Sequence, residues 1–414
     1  MSFKVLDLFS GAGGMAEGFL QAGFVIPYAS DISEQAKETY TNRHKQLGHD
    51  INFFQGDINE LKISENLNNF LGNDINNIDV VTGGPPCQGF SLAGRRDEND
   101  TRNKLIHSYI EVLETVKPKY FVMENVLGIL SSELSIFDGL ADTYQNEKLT
   151  TILEKEFKHI GYSHVVRKVM DASQYGVPQK RMRVIFLGTR DDVYPKLKHP
   201  EPTLDYLNSA QSAIEDLESI DIGKKVLQYN KSATSSYQLD SRQGRTPNID
   251  GKTIEATSLH NHEASRHTAI VTERFKILKP GENIRNMLGR LSSEKAKKLA
   301  TKKNNCKKII AEQPSPTVLT LPDDLVHYKK NRIMTVREMA RLQSFDDSFE
   351  FLGKRTTGGS RRKIETPQYT LVGNAVPPLL AKAIGNEIMA CLVKSKSIDT
   401  KNSEVASKEL LDEV

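Results

Sequence analysis

Val5-Leu-Asp-Leu-Phe9, then Ser10 and Gly11-Ala-Gly-Gly14, then Met15-Ala-Glu-Gly-Phe-Leu-Gln-Ala22 decide the fold. The first run is apolar enough for a strand buried on both faces, the glycines read as a turn, and the third run reads as a helix. Working outward, further strands are predicted at 25–30, ending at Asp31, and at 52–55, 79–82, 120–123, 165–170 and 183–187. Helices are predicted at 34–42, 103–116 and 150–160. Apolar strands alternating with helices argue for a parallel, doubly wound α/β sheet.

From about residue 190 to 330 this pattern degrades into a stretch rich in Lys, Ser, Asn and Asp. A second, smaller and irregular domain is expected there. Regular structure resumes with a helix at 335–342 and an apolar helix at 379–393, and the last twenty residues read as a frayed polar tail. The chain therefore divides into 1–190, 191–330, 331–394 and 395–414, with no internal repeat. A length of 414 residues fits two or three domains at about 150 residues each.

Composition narrows the class. Apolar residues are 38% and charged residues 26%, a soluble globular balance. No apolar run approaches the ~18 residues of a membrane helix. Asp7 falls where a secretory signal would be apolar, and Cys87, Cys306 and Cys391 are too few for a disulfide framework. A cytoplasmic location is expected, and secreted, membrane and cysteine-rich zinc classes are disfavoured.

Fifty-six Lys+Arg against 53 Asp+Glu give +3; the tail holds three lysines and five acids, so the body carries +5. Positive charge concentrates in two places. Residues 295–308 hold seven lysines and no acid, and Lys354-Arg-Thr-Thr-Gly-Gly-Ser-Arg-Arg-Lys363 is basic and glycine-containing. Glycine lets backbone N–H groups approach a phosphate and arginine grips one bidentately, which suggests a nucleic-acid partner.

Two loops carry chemistry. The spacing of Gly11, Gly13 and Ala16 fits a loose G-x-G-x-x-A, and Asp31 follows Gly11 by 20 residues. An acid there can bind ribose hydroxyls, so an adenosine-containing ligand is expected, whether a dinucleotide or S-adenosylmethionine. Asp57, in Gln55-Gly-Asp-Ile58, is placed to bind the adenine amine. Gly83-Gly-Pro-Pro-Cys87-Gln-Gly-Phe-Ser91 follows a buried strand, and two prolines stiffen the approach to a thiol that reads as a nucleophile.

Six segments then resemble the cytosine-C5 DNA methyltransferases of restriction-modification systems. They are Asp7-Leu-Phe-Ser-Gly-Ala-Gly-Gly14, Gly84-Pro-Pro-Cys-Gln-Gly-Phe-Ser91, Glu124-Asn-Val126, Gln179-Lys-Arg-Met-Arg183, Arg337-Glu-Met-Ala-Arg341 and Gly373-Asn-Ala-Val376, in the family's order. The resemblance implies a Rossmann-like S-adenosyl-L-methionine-dependent catalytic domain at 1–190. It implies a target recognition domain at 191–330 and a 331–394 remainder whose C-terminal helix packs back on the N-terminal half. It implies that Cys87 adds to C6 of a cytosine flipped out of duplex DNA, with Glu124 at N3, Arg183 at O2 and Arg181 supporting the catalytic loop and a phosphate.

The same resemblance places Phe9, Gly11, Gly13, Gly14, Asp31, Ile32, Asp57, Ile58, Leu105 and Asn374 around the cofactor, with Asn374 near its methionine part. Ile32 stands where the family often has a large aromatic. Gln88, Ser91, Thr317, Arg361 and Arg362 are the expected DNA contacts, and Thr317-Val318 supports the flipped-out site. His260-Asn-His262 and His267 hint at a metal site, but His262-Glu-Ala-Ser-Arg-His267 has one residue too many for H-E-x-x-H. No metal is expected, and these histidines read as DNA-facing loop residues, with 260–267 a candidate base reader. A monomer acting on double-stranded DNA is expected, with a restriction endonuclease as a separately acting companion. The competing readings are a tRNA methyltransferase of the same fold, an inactive DNA-binding relative, and a nicotinamide dehydrogenase, which would leave the Pro-Pro-Cys loop unexplained.

Overall fold

The computed structural model describes residues 2–86, 103–203, 206–358, 361 and 364–412. Val5, Leu6 and Leu8 are fully buried, so β1 (Lys4–Leu8) takes an inner place in a seven-stranded sheet. The other strands are β2 (Val25–Asp31), β3 (Asn52–Gln55), β4 (Val80–Gly83), β5 (Tyr120–Asn125), β8 (His164–Asp171) and β9 (Met182–Thr189), in the order β3-β2-β1-β4-β5-β9-β8. Strands β6 (Glu133–Asp138) and β7 (Thr143–Lys148) form a separate antiparallel hairpin that the sequence reading did not foresee.

The sheet is not wholly parallel, as had been expected: β9 runs antiparallel to both β5 and β8. Only ten residues, 172–181, join β8 to β9. A parallel neighbour needs a crossover of about a dozen residues or more, so the chain turns back instead.

Helices cover both faces. On one side α1 (Gly14–Gln21) and α2 (Glu34–Leu47) pack with the C-terminal helix Pro378–Asp412 over Val5, Ile26 and Val122. On the other, α3 (Ile58–Leu61), α4 (Ser64–Leu71), α5 (Asn103–Val116) and α6 (Leu149–His159) cover Leu6, Val81 and Phe121. Helix α2 starts where Ser33 Oγ accepts from the Ala36 N–H at 3.2 Å, and it stops at Gly48 with φ 75°.

The C-terminal helix does return to the N-terminal half. At Gly18 a Cβ would lie 2.4 Å from the Pro378 carbonyl oxygen, so only glycine admits this approach. The backbone stays helical to Asp412 where a frayed tail had been expected. The Lys, Glu, Ala and Leu content of that stretch favours helix. Among the described residues no single helix is long and apolar enough to cross a membrane.

Residues 191–330 form short helices, among them Ala210–Ile214, Ser236–Gln243, Ala269–Ile277 and Ile284–Gly289, and one parallel pair, Lys307–Lys308 with Leu325–Val326. Phe275, Leu278, Ile284, Met287, Cys306 and Val326 make a small local core. Ala213, Ile214, Tyr237 and Val318 instead share a core with the helix Val336–Leu342.

That helix carries a buried ionic network. Arg341 donates to Asp347 at 2.6 Å, to Asp216 at 3.0 Å and to the Ala213 carbonyl at 2.8 Å. Arg337 donates to the carbonyls of His260, Asp346 and Phe349. Arg332 pairs bidentately with Glu338, which also completes a capping box with Thr335. The Arg337-Glu-Met-Ala-Arg341 motif thus clamps the 210–262 segments onto the catalytic half.

Candidate active site

At the carboxyl ends of β1, β2, β4 and β5 opens a cavity of about 440 Å³, within the ~300–1,000 Å³ of small-molecule sites. Phe9 and Gly11 both have positive φ, 53° and 54°, which turns the chain over the sheet edge. Asp31 Oδ2 accepts from the Gly11 N–H and Oδ1 from the Ser33 N–H, each at 2.8 Å. Burial raises its pKa above the ordinary carboxylate value, and these N–H donors pull the other way.

Phe9, Gly11, Gly14, Asp31, Ile32, Asp57, Ile58, Leu105 and Asn374 all line this cavity. At Gly14 a Cβ would sit 2.2 Å from the Val376 carbonyl oxygen, so glycine lets the 374–376 segment close on the turn. Asp57 caps α3, its Oδ1 accepting from the Asn59 N–H at 2.9 Å. Ile32 is 73% exposed at the rim. Gly13 is set apart from the wall: φ is 92°, and a Cβ would press into the Tyr40 ring at 2.9 Å. It shapes the turn.

Gly83, Gly84, Pro85 and Pro86 line the inner end of the cavity beside Glu124 and Arg183. Arg183 Nε lies 2.7 Å from Glu124 Oε1. Their positions follow from the sheet, since Glu124 stands opposite Ile185 across the β5–β9 ladder. The neighbouring Asn125 is buried and donates from Nδ2 to the Pro85 carbonyl at 3.1 Å, so the Glu-Asn-Val segment pins the Pro-Pro loop. Cys87, Gln88 and Ser91 lie outside the described residues, as does Arg362.

Arg181 lines the cavity, but it is 1% exposed and offers no surface to a DNA phosphate. It donates to the Val318 carbonyl at 3.1 Å and the Gly373 carbonyl at 2.9 Å, while Nε has no partner among the described residues. Burial and the neighbouring Arg183 hold its pKa well below the usual arginine value. Its place is behind the site, bracing the wall that carries Asn374. Thr317 Oγ1 donates to the Lys180 carbonyl at 2.8 Å and the Val318 N–H to Gln179 Oε1 at 2.7 Å, which ties the Thr-Val pair to the same strut.

Other expectations change. His262 is buried between Thr335 Oγ1 at 2.9 Å and the Leu217 carbonyl at 3.0 Å, and burial lowers its pKa to about 4. His267 packs edge-on against Phe275. His262 is thereby withdrawn from the surface, His267 is half-buried, and His260, beside Glu350 at 3.2 Å, stays near the surface. Among the described residues no His, Cys, Asp and Glu group is placed to hold a metal. Lys308 is buried, its ammonium near the Phe275 carbonyl, and so leaves the basic run. Lys354 pairs with Glu365 and Arg355 with Glu263, which among the described residues of that second run leaves the exposed Arg361.

Thr366 and Asp7 are among the cavity residues not singled out from sequence. Thr366 reaches the wall because its N–H donates to Gln35 Oε1 at 3.1 Å. Asp7 contributes a buried carboxyl; the signal was an acid inside an otherwise apolar strand.

The cavity suits S-adenosyl-L-methionine: its size fits, and an acid closes each of the β2 and β3 ends, as an adenosine requires. A sequence model of the family described as C-5 cytosine-specific DNA methylase matches residues 3–390. The chain is 34% identical over 400 residues to the type II methyltransferase M.DdeI of Desulfomicrobium norvegicum, covering 93% of this chain and 88% of that one. It is 32% identical over 395 residues to the type II methyltransferase M1.HphI of Haemophilus parahaemolyticus, covering 94% and 87%. A solved structure from E. coli, described as a prophage-encoded DNA modification methyltransferase, superposes with a TM-score of 0.69 at 24% identity, over 94% of this chain and 99% of that one.

Proposed function

The chain belongs to the C-5 cytosine-specific DNA methylase family and uses S-adenosyl-L-methionine to methylate cytosine C5, and on that premise we propose which residues carry the reaction and where the target is read. The observation that carries the assignment is the Glu124–Arg183 pair, 2.7 Å apart on the cavity wall beside the Gly-Pro-Pro segment that leads into Cys87.

When bound, the cofactor supplies an electrophilic methyl group. C5 of cytosine is a weak nucleophile, so the Cys87 thiolate adds to C6, forming a C–S bond and pushing electron density toward C5 and N3. Glu124, as the acid, donates to N3, and Arg183 donates to O2, so that charge developing on the ring is met by groups already in place. The C5 electron pair takes the methyl. Loss of the C5 proton to water, with return of the N3 proton to Glu124, then restores the ring and expels the Cys87 thiolate. Asn125 holds the loop carbonyl of Pro85, fixing the direction from which the thiol approaches.

The cytosine reaches this pocket flipped out of double-stranded DNA. Residues 191–330 read the sequence around it, while exposed members of the 295–307 lysine run and Arg361 add affinity through phosphates without sequence information. The relatives' designation as type II methyltransferases supports a restriction endonuclease acting separately on the same sequence. On the same proposal the chain works as a monomer in the cytoplasm.

Trapping tests the assignment. On DNA with 5-fluorocytosine at the target, fluorine at C5 blocks the elimination, so wild-type enzyme should form a stable covalent adduct. Cys87→Ser should form none; an adduct that persists in that variant refutes the role of Cys87.

A further inference from the structure

Asp7 is a carboxyl group 1% exposed that nonetheless forms part of the cavity wall. Its Oδ1 accepts from Thr82 Oγ1 at 2.7 Å and its Oδ2 from the Tyr40 hydroxyl at 3.2 Å. Among the described residues no lysine or arginine pairs with it, unlike the buried acids Glu17, Asp216, Glu338 and Asp347. An acid kept out of water without a cation is costly unless a cation arrives.

The sheet order says what lies above it. Asp57 follows β3, Asp31 ends β2, Asp7 is on β1, Gly83 ends β4 and Glu124 is in β5, and the strands stand in the order β3-β2-β1-β4-β5. With adenine at β3 and ribose at β2, the methyl must reach a cytosine held at β5, roughly 14 Å from β2 at ~4.8 Å per strand. The cofactor sulfur is one carbon beyond the ribose ring, which puts its positive charge over β1 and β4. That charge exists only in the donor: once the methyl leaves, the sulfur is a neutral thioether.

We propose that Asp7 is the counter-charge of the sulfonium, so that the pocket holds the cationic methyl donor in preference to the neutral product. This rests on the cavity being the S-adenosylmethionine site. Burial pushes Asp7 up to about 7, against the hydrogen bonds of Thr82 and Tyr40 and with the help of Asp31. Around it stand Asp31 on β2, Tyr40 on α2 and Tyr109 on α5, with Glu17 on α1 and His44 on α2 beside Tyr40. Burial holds both tyrosines well above their usual value and His44 down at about 4, so none of these three titrates near neutrality. Asp31 is also raised, but the ribose beside it is common to donor and product.

Calorimetric titration with S-adenosylmethionine and with S-adenosylhomocysteine between about pH 6 and 8 tests this. The donor-to-product affinity ratio should rise with pH by several-fold in the wild type and stay flat and low in Asp7→Asn. Thr82→Val removes a hydrogen bond that favours the carboxylate, so its rise should shift to higher pH; it decides the matter should Asp7→Asn fail to fold. A ratio independent of pH in the wild type, or unchanged in Asp7→Asn, overturns the proposal while leaving the cofactor site intact. Binding of neither compound overturns the cofactor site itself, and the proposal with it.

Discussion

Two regions of this molecule bury charge, and they do so in opposite ways. Around the helix Val336–Leu342, Arg341, Arg337, Asp347 and Asp216 are fully buried and matched, each guanidinium nitrogen of Arg341 and Arg337 meeting an acceptor. Around the cavity, Asp7 is paired with no lysine or arginine among the described residues and is held only by Thr82 and Tyr40. Closed charge holds the fold together; open charge is held ready for something that is not protein. Removing a member should therefore damage stability in the first region and binding in the second.

Arg341→Leu should show the largest effect. It takes from Asp347 its closest cation and leaves Asp216 with Arg242 alone, and breaking a buried pair from one side costs about 3–5 kcal/mol. Denaturant unfolding should reveal it, and a loss below about 1 kcal/mol would mean the network is not what fastens the 210–262 segments.

Asp31→Ala should weaken S-adenosylmethionine binding by roughly 1.5–3 kcal/mol, the worth of a charged hydrogen bond, with a much smaller change in unfolding. Equal cofactor affinity in variant and wild type, measured calorimetrically, would remove Asp31 from the site.

The two regions should also answer pH with opposite signs. Arg332 holds Glu338 down at about 2 despite burial, from an ordinary value of 4.5. Its contribution is present above 4.5 and lost as pH falls toward 2. Asp7, raised to about 7 from 3.8, favours the folded state below 3.8 and loses that contribution as pH rises through 7. In the cofactor-free protein at about pH 8, Asp7→Asn should raise the melting temperature and Glu338→Gln should lower it. Shifts of the same sign would break the comparison.

The smallest effect is expected where charge is exposed. Replacing Lys295, Lys297 and Lys302 by Ala should move stability by no more than about 0.5 kcal/mol each, while DNA binding loses some of its salt dependence, about one unit of slope per phosphate contact. An unaltered slope would exclude these lysines from the DNA surface.

This contrast also explains what sequence could and could not convey. Strands β1 to β5 were legible because each is a short apolar run ended by a turn residue, and so was the cavity, because its residues sit at the ends of those runs. The reversed direction of β9 was not, since an apolar run looks the same read either way. The β6–β7 hairpin carried a hairpin signal in Asp138-Gly139, but its strands are mostly polar outside Leu134, Phe137 and Tyr144. His262 and Lys308 misled because a polar residue in a polar stretch reads as exposed. What buries His262 is Thr335, 73 positions away. Arg341 and Asp216 are 125 positions apart, and nothing local announces that they meet.

The close contact between Gly14 and the Val376 carbonyl bears on what completes the pocket. The glycine turn and both acids of the adenosine end precede by some three hundred positions the wall formed by Asn374, Ala375 and Val376. Without the 374–376 wall the glycine turn and both acids face an open groove, so removing that segment should abolish methyl-donor binding.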